Sequence, residues 1–248
     1  MRFIIFCLIV SSCTSSNQLL VIGHRGAKGH IAENTLPSIA KAIELGVDGV
    51  EIDIFKCASG ELVVFHDKTL EKLTNATGYI EDLELDSIQQ IKVLNDYTIP
   101  TLSEVLNLIN GRIFVNIELK GSSTALKTDE LLKTYLGSKN WSSEKVLISS
   151  FNWDELKIFR EINHEIPIAI LTEDDPLDAI PIGIELKAIA INPDYKTLNS
   201  DNIRKIKKAG FKIYPWTVNK IEDITLIKSL GVDGIITDFP ERILKIIY

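Results

Sequence analysis

The sequence predicts a single (β/α)8 barrel of the TIM type. Short β-branched runs alternate with segments of helical periodicity along the whole chain after residue 18. Eight of those runs read as parallel strands of strand–helix units, and eight units in a chain of 248 residues match the size of such a barrel. No Pro-, Gly- or Ser-rich linker divides them, so one domain is expected over residues 19–248. A doubly wound open sheet would start on a GxGxxG turn leading into a helix, and Gly23-His24-Arg25-Gly26 does not fit that pattern.

Leu19–Ile22 is the first buried strand, and Leu36–Leu45 the first helix, with Asn34 as the expected cap and Gly46 closing it. Val47–Phe55 is the second strand. Ser59-Gly60 then turns the chain into Glu61–Phe65 with no room for a crossover helix, so an antiparallel hairpin is expected. Residues 67–99 lose the regular rhythm and read as a small insertion, with one short helix over Leu85–Val93. Pro100-Thr101 introduces a helix over Leu102–Ile109. The remaining strands are predicted at Ile113–Leu119, Val146–Ser150, Ile168–Leu171, Ala188–Asn192, Lys212–Trp216 and Gly234–Thr237. Helices fall near 129–137, 153–162, 174–181, 200–209, 222–230 and 240–247.

The first residues stand apart. Met1-Arg2 supplies a positive charge, Phe3–Val10 is an apolar run, and Ser11-Ser12-Cys13 precedes a polar stretch. That is a secretory signal over residues 1–12, too short for a membrane span, which needs roughly 18 residues. Val10-Ser11-Ser12-Cys13 also resembles a bacterial lipobox, which makes Cys13 the lipidated first residue and 13–18 a tether. The expected location is the periplasm or cell exterior, with membrane contact through Cys13 only. Cys57 is then the one thiol left, so no internal disulfide is expected, and it reads as packed and inert.

Composition limits the partners. With 27 Lys and Arg against 34 Asp and Glu the formal charge is −7, and the basic excess that phosphate-dominated nucleic-acid binding needs is absent. No protein partner is implied, and the expected partner is a small molecule.

Chemistry collects where strands end. Gly23-His24-Arg25-Gly26 follows the first strand, and Glu51-Ile52-Asp53 lies within the second, its period placing both carboxylates on one face. The hairpin arm ends in His66-Asp67, the third barrel strand in Glu118-Leu119-Lys120, and the seventh in Trp216-Thr217-Val218-Asn219. In a TIM barrel these ends meet at one mouth. Three carboxylates there repel one another unless a cation compensates them, and Glu51, Asp53 and Glu118 offer only oxygen ligands, which suit Mg²⁺ or Ca²⁺ over zinc. Two histidines supply an acid and a base, and Arg25 and Lys120 supply positive charge for a phosphate. The set reads as metal-assisted phosphodiester cleavage.

IGHRGAKGHIAENTLPSIAKAIELGVDGVEID at 22–53 and LVVFHD at 62–67 resemble the glycerophosphodiester phosphodiesterase family. NIELK at 116–120, SSF at 149–151, PWTVN at 215–219 and GVDGIITDFP at 231–240 continue the likeness in order. The resemblance implies Glu51, Asp53 and Glu118 as ligands of one divalent cation, His24 and His66 as the acid–base pair, and Arg25 and Lys120 on the phosphoryl oxygens. It places Trp216 on an apolar wall beside the glycerol backbone. Glu33 is a further acid near the mouth, Phe151 is either a substrate contact or a core residue, with the core expected, and His30 and His164 are expected on the surface.

The implied reaction is hydrolysis of diesters such as glycerophosphocholine or glycerophosphoethanolamine to an alcohol and sn-glycerol 3-phosphate. It runs through a cyclic phosphate formed by a glycerol hydroxyl or by direct attack of water. The same site would serve a lysophospholipase D or a phospholipase C acting on phosphoinositides. A non-catalytic binding lipoprotein would be expected to lack a ligand or a histidine, and every such position is filled.

Overall fold

The computed structural model describes residues 18–247. The predicted signal at 1–12, its lipobox and all of the tether but residue 18 lie outside the described residues. β1 (Leu20–His24) leads through a tight loop into α1 (Leu36–Leu45). β2 (Gly49–Lys56) folds back on β3 (Leu62–Val64), antiparallel with Ile54 opposite Val64, which is the predicted hairpin. The insertion carries α2 (Leu85–Ile88) and a ribbon of β4 (Lys92–Val93) with β5 (Tyr97–Thr98). α3 (Leu102–Ile109), β6 (Phe114–Leu119), α4 (Ala125–Leu136), β7 (Val146–Ser150) and α5 (Trp153–Ile162) follow. β8 (Ile168–Thr172), α6 (Ala179–Glu185), β9 (Ala190–Pro193) and α7 (Ser200–Lys208) continue the alternation. β10 (Lys212–Ile213), α8 (Ile221–Ser229), β11 (Gly234–Thr237) and α9 (Pro240–Ile247) complete it.

The parallel strands run in the order β10-β9-β8-β7-β6-β2-β1-β11, with β3 attached to β2. The two ends of that row meet through backbone bonds: Asp233 N–H donates to Ile213 O, Ile236 N–H to Pro215 O, and Val218 N–H to Ile236 O. The row therefore curls into the predicted eight-strand barrel, and an open edge is avoided. Helices cover the outside through a large hydrophobic core that includes Ile39, Leu106, Ile148, Phe159 and Ile206. The barrel interior holds a small core of its own around Ile22, Leu147, Tyr214 and Ile236.

Four local details depart from the sequence reading. The cap of α1 is Thr35, whose Oγ1 accepts from Ser38 N–H at 3.3 Å, and Asn34 sits one residue earlier with a left-handed φ of 58°. The helix predicted over Leu85–Val93 stops at Ile88, because Ile88, Ile91 and Val93 fill a separate core with Phe55, Phe65, Leu70 and Ile80. Leu94 and Asn95, both at positive φ, then turn the chain back. That core packs the insertion onto the hairpin and encloses Cys57, the packed thiol expected. The seventh barrel strand keeps its pairing to Trp216, whose N–H donates to Pro193 O, but Pro215 has no N–H and the regular ladder ends at Ile213. The helix predicted near 174–181 starts later, at Ala179, after a turn opened by Asp175 and Pro176.

Candidate active site

Sheet register brings the predicted carboxylates together. β1, β2 and β6 are neighbours, with His24 beside Glu51, Glu51 beside Asn116, and Asp53 beside Glu118. Laterally paired residues of a parallel sheet share a face, and the two-residue period keeps Glu51 and Asp53 on it together. That face is the barrel interior at its C-terminal end. One carboxylate oxygen from each of Glu51, Asp53 and Glu118 lies within 4.8 Å of the others. All three residues are buried, and Glu51 Oε1 and Asp53 Oδ1 meet no hydrogen-bond partner. A buried, all-oxygen donor set with unused lone pairs fits a hard divalent cation.

Protonation follows from that crowding. Burial, with Asp53 and Glu118 beside it, lifts the Glu51 carboxyl well above the ordinary range. Burial and Asp53 push Glu118 up to about 8. Burial also acts on Asp53, but Arg25, His66 and Lys120 outweigh it and hold the group below its usual value. Without a cation, the cluster therefore keeps protons that a bound metal displaces.

The loop after β1 sets Arg25 and His24. Arg25 has φ 50° and Gly26 φ 85°, and a Cβ on Gly26 would lie 2.5 Å from Ser38 Oγ, so only glycine fits there. The turn points Arg25 N–H at Glu51 Oε2, 3.0 Å away, while the guanidinium meets Asp53 at 3.2 Å and Glu33 at 2.5 Å. Lys28 holds the second Glu33 oxygen at 2.9 Å. Lys120 sits between Glu118, at 3.2 Å, and His66 Nε2, at 3.2 Å.

Each histidine rests on a carboxylate. His24 Nδ1 lies 2.7 Å from Asp238 Oδ1, and His66 Nδ1 2.6 Å from Asp67 Oδ1. Despite partial burial, Asp238 and Asp67 are held below the usual carboxylate range by these histidines, so both are ionised acceptors and the ring proton sits on Nδ1. That leaves each Nε2 as the working nitrogen. His24 Nε2 is 3.9 Å from Glu51 and His66 Nε2 faces Lys120, so both turn toward the carboxylate cluster. Burial lowers both imidazole pKa values, against the pull of the neighbouring carboxylates.

These groups line one cavity of about 220 Å³, with Phe151, Leu171, Glu173 and Trp216 forming its far wall. The profile of the glycerophosphoryl diester phosphodiesterase family matches residues 24–242. The chain belongs to that family. It is 35% identical over 92% of its length, and 97% of the relative's, to a glycerophosphodiester phosphodiesterase of Caldanaerobacter subterraneus. With one from Bacillus subtilis it shares 30% identity over 94% of this chain and 87% of the other. Among solved structures, an Oleispira antarctica phosphodiesterase in complex with the product sn-glycerol-3-phosphate superposes with a TM-score of 0.84. It has 28% identity and covers 92% of this chain and 96% of that one. As a member of the family, the protein is a phosphoric diester hydrolase.

The eight residues expected to carry the chemistry gather at this cavity: His24, Arg25, Glu51, His66, Glu118, Lys120 and Trp216 line it, and Asp53 lies behind, against Arg25 and the other two carboxylates. Two readings need correction. Asn34 is no helix cap: it is buried, its Nδ2 donates to Asp53 Oδ2 at 2.8 Å, and its Oδ1 accepts from Asp53 N–H at 3.3 Å. Phe151 is not core: it is 37% exposed and stands edge-on to Trp216 at 5.4 Å. Glu33 now has a place, as the outer partner of Arg25.

His30 and His164 are exposed, as expected. Asp238, Asn219 and Asn116 have no assigned role in the sequence reading, although Asn219 stands in the strand-end motif it names. Asn219 Nδ2 donates to Asp238 Oδ2 at 2.7 Å and fixes the carboxylate under His24. Asp238 follows β11 directly, so the rule that strand ends carry the chemistry points to it. Asn116 precedes Glu118 by two residues, and the strand period alone places it on the same inner face.

Proposed function

We propose that the protein hydrolyses glycerophosphodiesters to an alcohol and sn-glycerol 3-phosphate, using one divalent cation, Ca²⁺ or Mg²⁺, and the His24/His66 pair. The observation that carries this reading is the placement of two carboxylate-backed histidines around a buried three-carboxylate cluster in one cavity. The product bound in the Oleispira antarctica phosphodiesterase supports the same chemistry.

Glu51, Asp53 and Glu118 would hold the cation, which, when bound, polarises a phosphoryl oxygen and lowers the pKa of the attacking hydroxyl. Asn34 keeps Asp53 oriented for that task by engaging both its Oδ2 and its N–H. Lys120 and Arg25 face the phosphoryl oxygens and offset the charge that builds up on them. One histidine takes the proton of the attacking glycerol hydroxyl or water at its Nε2, and the other, entering the step protonated, delivers a proton from its Nε2 to the departing alcohol oxygen; where a glycerol hydroxyl attacks, water then opens the cyclic phosphate with the two roles reversed. Asp238 and Asp67 hold the rings in the Nδ1–H tautomer and stabilise whichever imidazolium forms. Trp216, anchored by Nε1 donating to Asn192 O at 2.8 Å, offers its ring to the glycerol backbone. The lipobox reading places this chemistry on an exported protein held to a membrane through Cys13.

Incubation with glycerophosphocholine, with and without EDTA, tests the reading. Release of equimolar choline and sn-glycerol 3-phosphate that stops with EDTA and returns with Mg²⁺ or Ca²⁺ is expected. Phosphocholine and glycerol as products, or turnover indifferent to EDTA, would refute it.

A further inference from the structure

The catalytic cavity is electrically lopsided. Its positive side chains, Arg25 and Lys120, stand beside β1 and β6, paired there with Asp53 and Glu118. Across the barrel mouth, at the end of β8, the wall carries Glu173. Glu173 is exposed, and its carboxylate has no ion pair or hydrogen bond among the described residues.

Two rings lie between these poles. Phe151 is 5.9 Å from the Lys120 ammonium, measured to its ring centroid, and edge-on to Trp216. Beyond them the cavity continues into a second recess of about 290 Å³, of which Phe151, Leu171 and Glu173 are shared walls. Trp216 belongs to the inner cavity alone, so the recess starts where Phe151 and Glu173 stand. A free carboxylate beside an exposed aromatic ring is the surrounding that an alkylammonium group prefers. The ring quadrupole attracts the cation face-on, and the carboxylate does so without a competing internal partner.

On the reading given under Proposed function, we propose that Glu173 and Phe151 form the seat of a cationic head group. The enzyme then prefers glycerophosphodiesters whose departing alcohol carries an ammonium, choline or ethanolamine, over those with a neutral polyol. The phosphate sits at the Arg25/Lys120 pole, the glycerol lies over Trp216, and the short carbon bridge of the alcohol carries its nitrogen to the Glu173 pole. The inner cavity thus matches a zwitterion end to end. Glu173 selects the substrate and takes no proton in the reaction.

The test compares kcat/KM for glycerophosphocholine and glycerophosphoglycerol in the full chain, wild type, Glu173→Gln and Glu173→Lys. The wild type is expected to favour glycerophosphocholine. Glu173→Gln should lower the choline-to-glycerol ratio about fivefold, the worth of one partly screened charge contact, and Glu173→Lys should lower it further. Phe151→Leu should lower the ratio in the same direction while keeping an apolar wall. A ratio unmoved by both Glu173 variants, or equal losses on both substrates, overturns the proposal, because the carboxylate would then be idle or serve the shared glycerol. A wild type that hydrolyses neither diester overturns the functional reading itself, a different result from an unselective but active enzyme.

Discussion

Replacing Asp238 by Asn isolates what the carboxylate under His24 contributes. The contact is 2.7 Å long, and the two side chains are 12% and 17% exposed, so water screens it little. Asn keeps the size and the partner Asn219, but it presents a neutral oxygen or an NH₂ where an ionised acceptor stood. A charge-assisted hydrogen bond is worth about 1.5–3 kcal/mol, and each 1.4 kcal/mol is tenfold, so kcat/KM should fall roughly 10- to 150-fold. His24 is already lowered by burial, with Asp238 the main opposing influence. Its titration in the pH–rate profile should therefore move to still lower pH. Release of sn-glycerol 3-phosphate from glycerophosphocholine, coupled to its oxidation and NADH formation, reads the rate, and a urea melt reads the fold. An unchanged fold with kcat/KM within twofold of wild type would refute the argument that Asp238 sets the tautomer and supports the imidazolium.

Alanine at His24 or at His66 should each nearly abolish turnover while calorimetry still registers the divalent cation, since neither ring belongs to the carboxylate cluster; retained activity in both would remove them as acid and base. The metal-free protein should lose stability as pH rises from about 4.5 toward 8. Glu118 holds its proton to about 8 in the fold and only to the ordinary value when unfolded, so the native state binds the extra proton in that window. Saturating Mg²⁺ or Ca²⁺ should flatten that slope, metal affinity should rise with pH across the same window, and a melting temperature that climbs in the apo protein would contradict both expectations. Asn34→Ala should cost about 1–3 kcal/mol in urea unfolding, through the lost donor to buried Asp53 and the left-handed φ that alanine resists, and should weaken cation binding. Cys13→Ala should abolish incorporation of labelled palmitate if the lipobox is used, and unchanged labelling would place the acylation elsewhere.

Strand–helix alternation alone determined the barrel. Each β/α unit announces itself through local periodicity, and eight units of this size have one closed arrangement that hides every strand edge. Most of the candidate site was legible for the same reason. His24, His66, Glu118 and Trp216 stand at or just after strand ends, and Glu51-Ile52-Asp53 declares its shared face through the two-residue period. The hairpin at Ser59-Gly60 followed from loop length.

Tertiary structure decided what depends on distant segments. Asn34 and Thr35 are both good caps, and only the left-handed turn required to reach Asp53 assigns Thr35 to the helix and Asn34 to the carboxylate. Leu85–Val93 has helical periodicity, yet the core with Phe55 and Phe65 claims its apolar residues and breaks the helix. Phe151 sits beside a buried strand, but it lies one residue past the end of β7, where the wall opens to solvent. Asp238 reaches His24 across 214 positions because β11 closes the barrel against β1. Local periodicity carries no information about such a partner, since the contact exists only once the first and last strands pair.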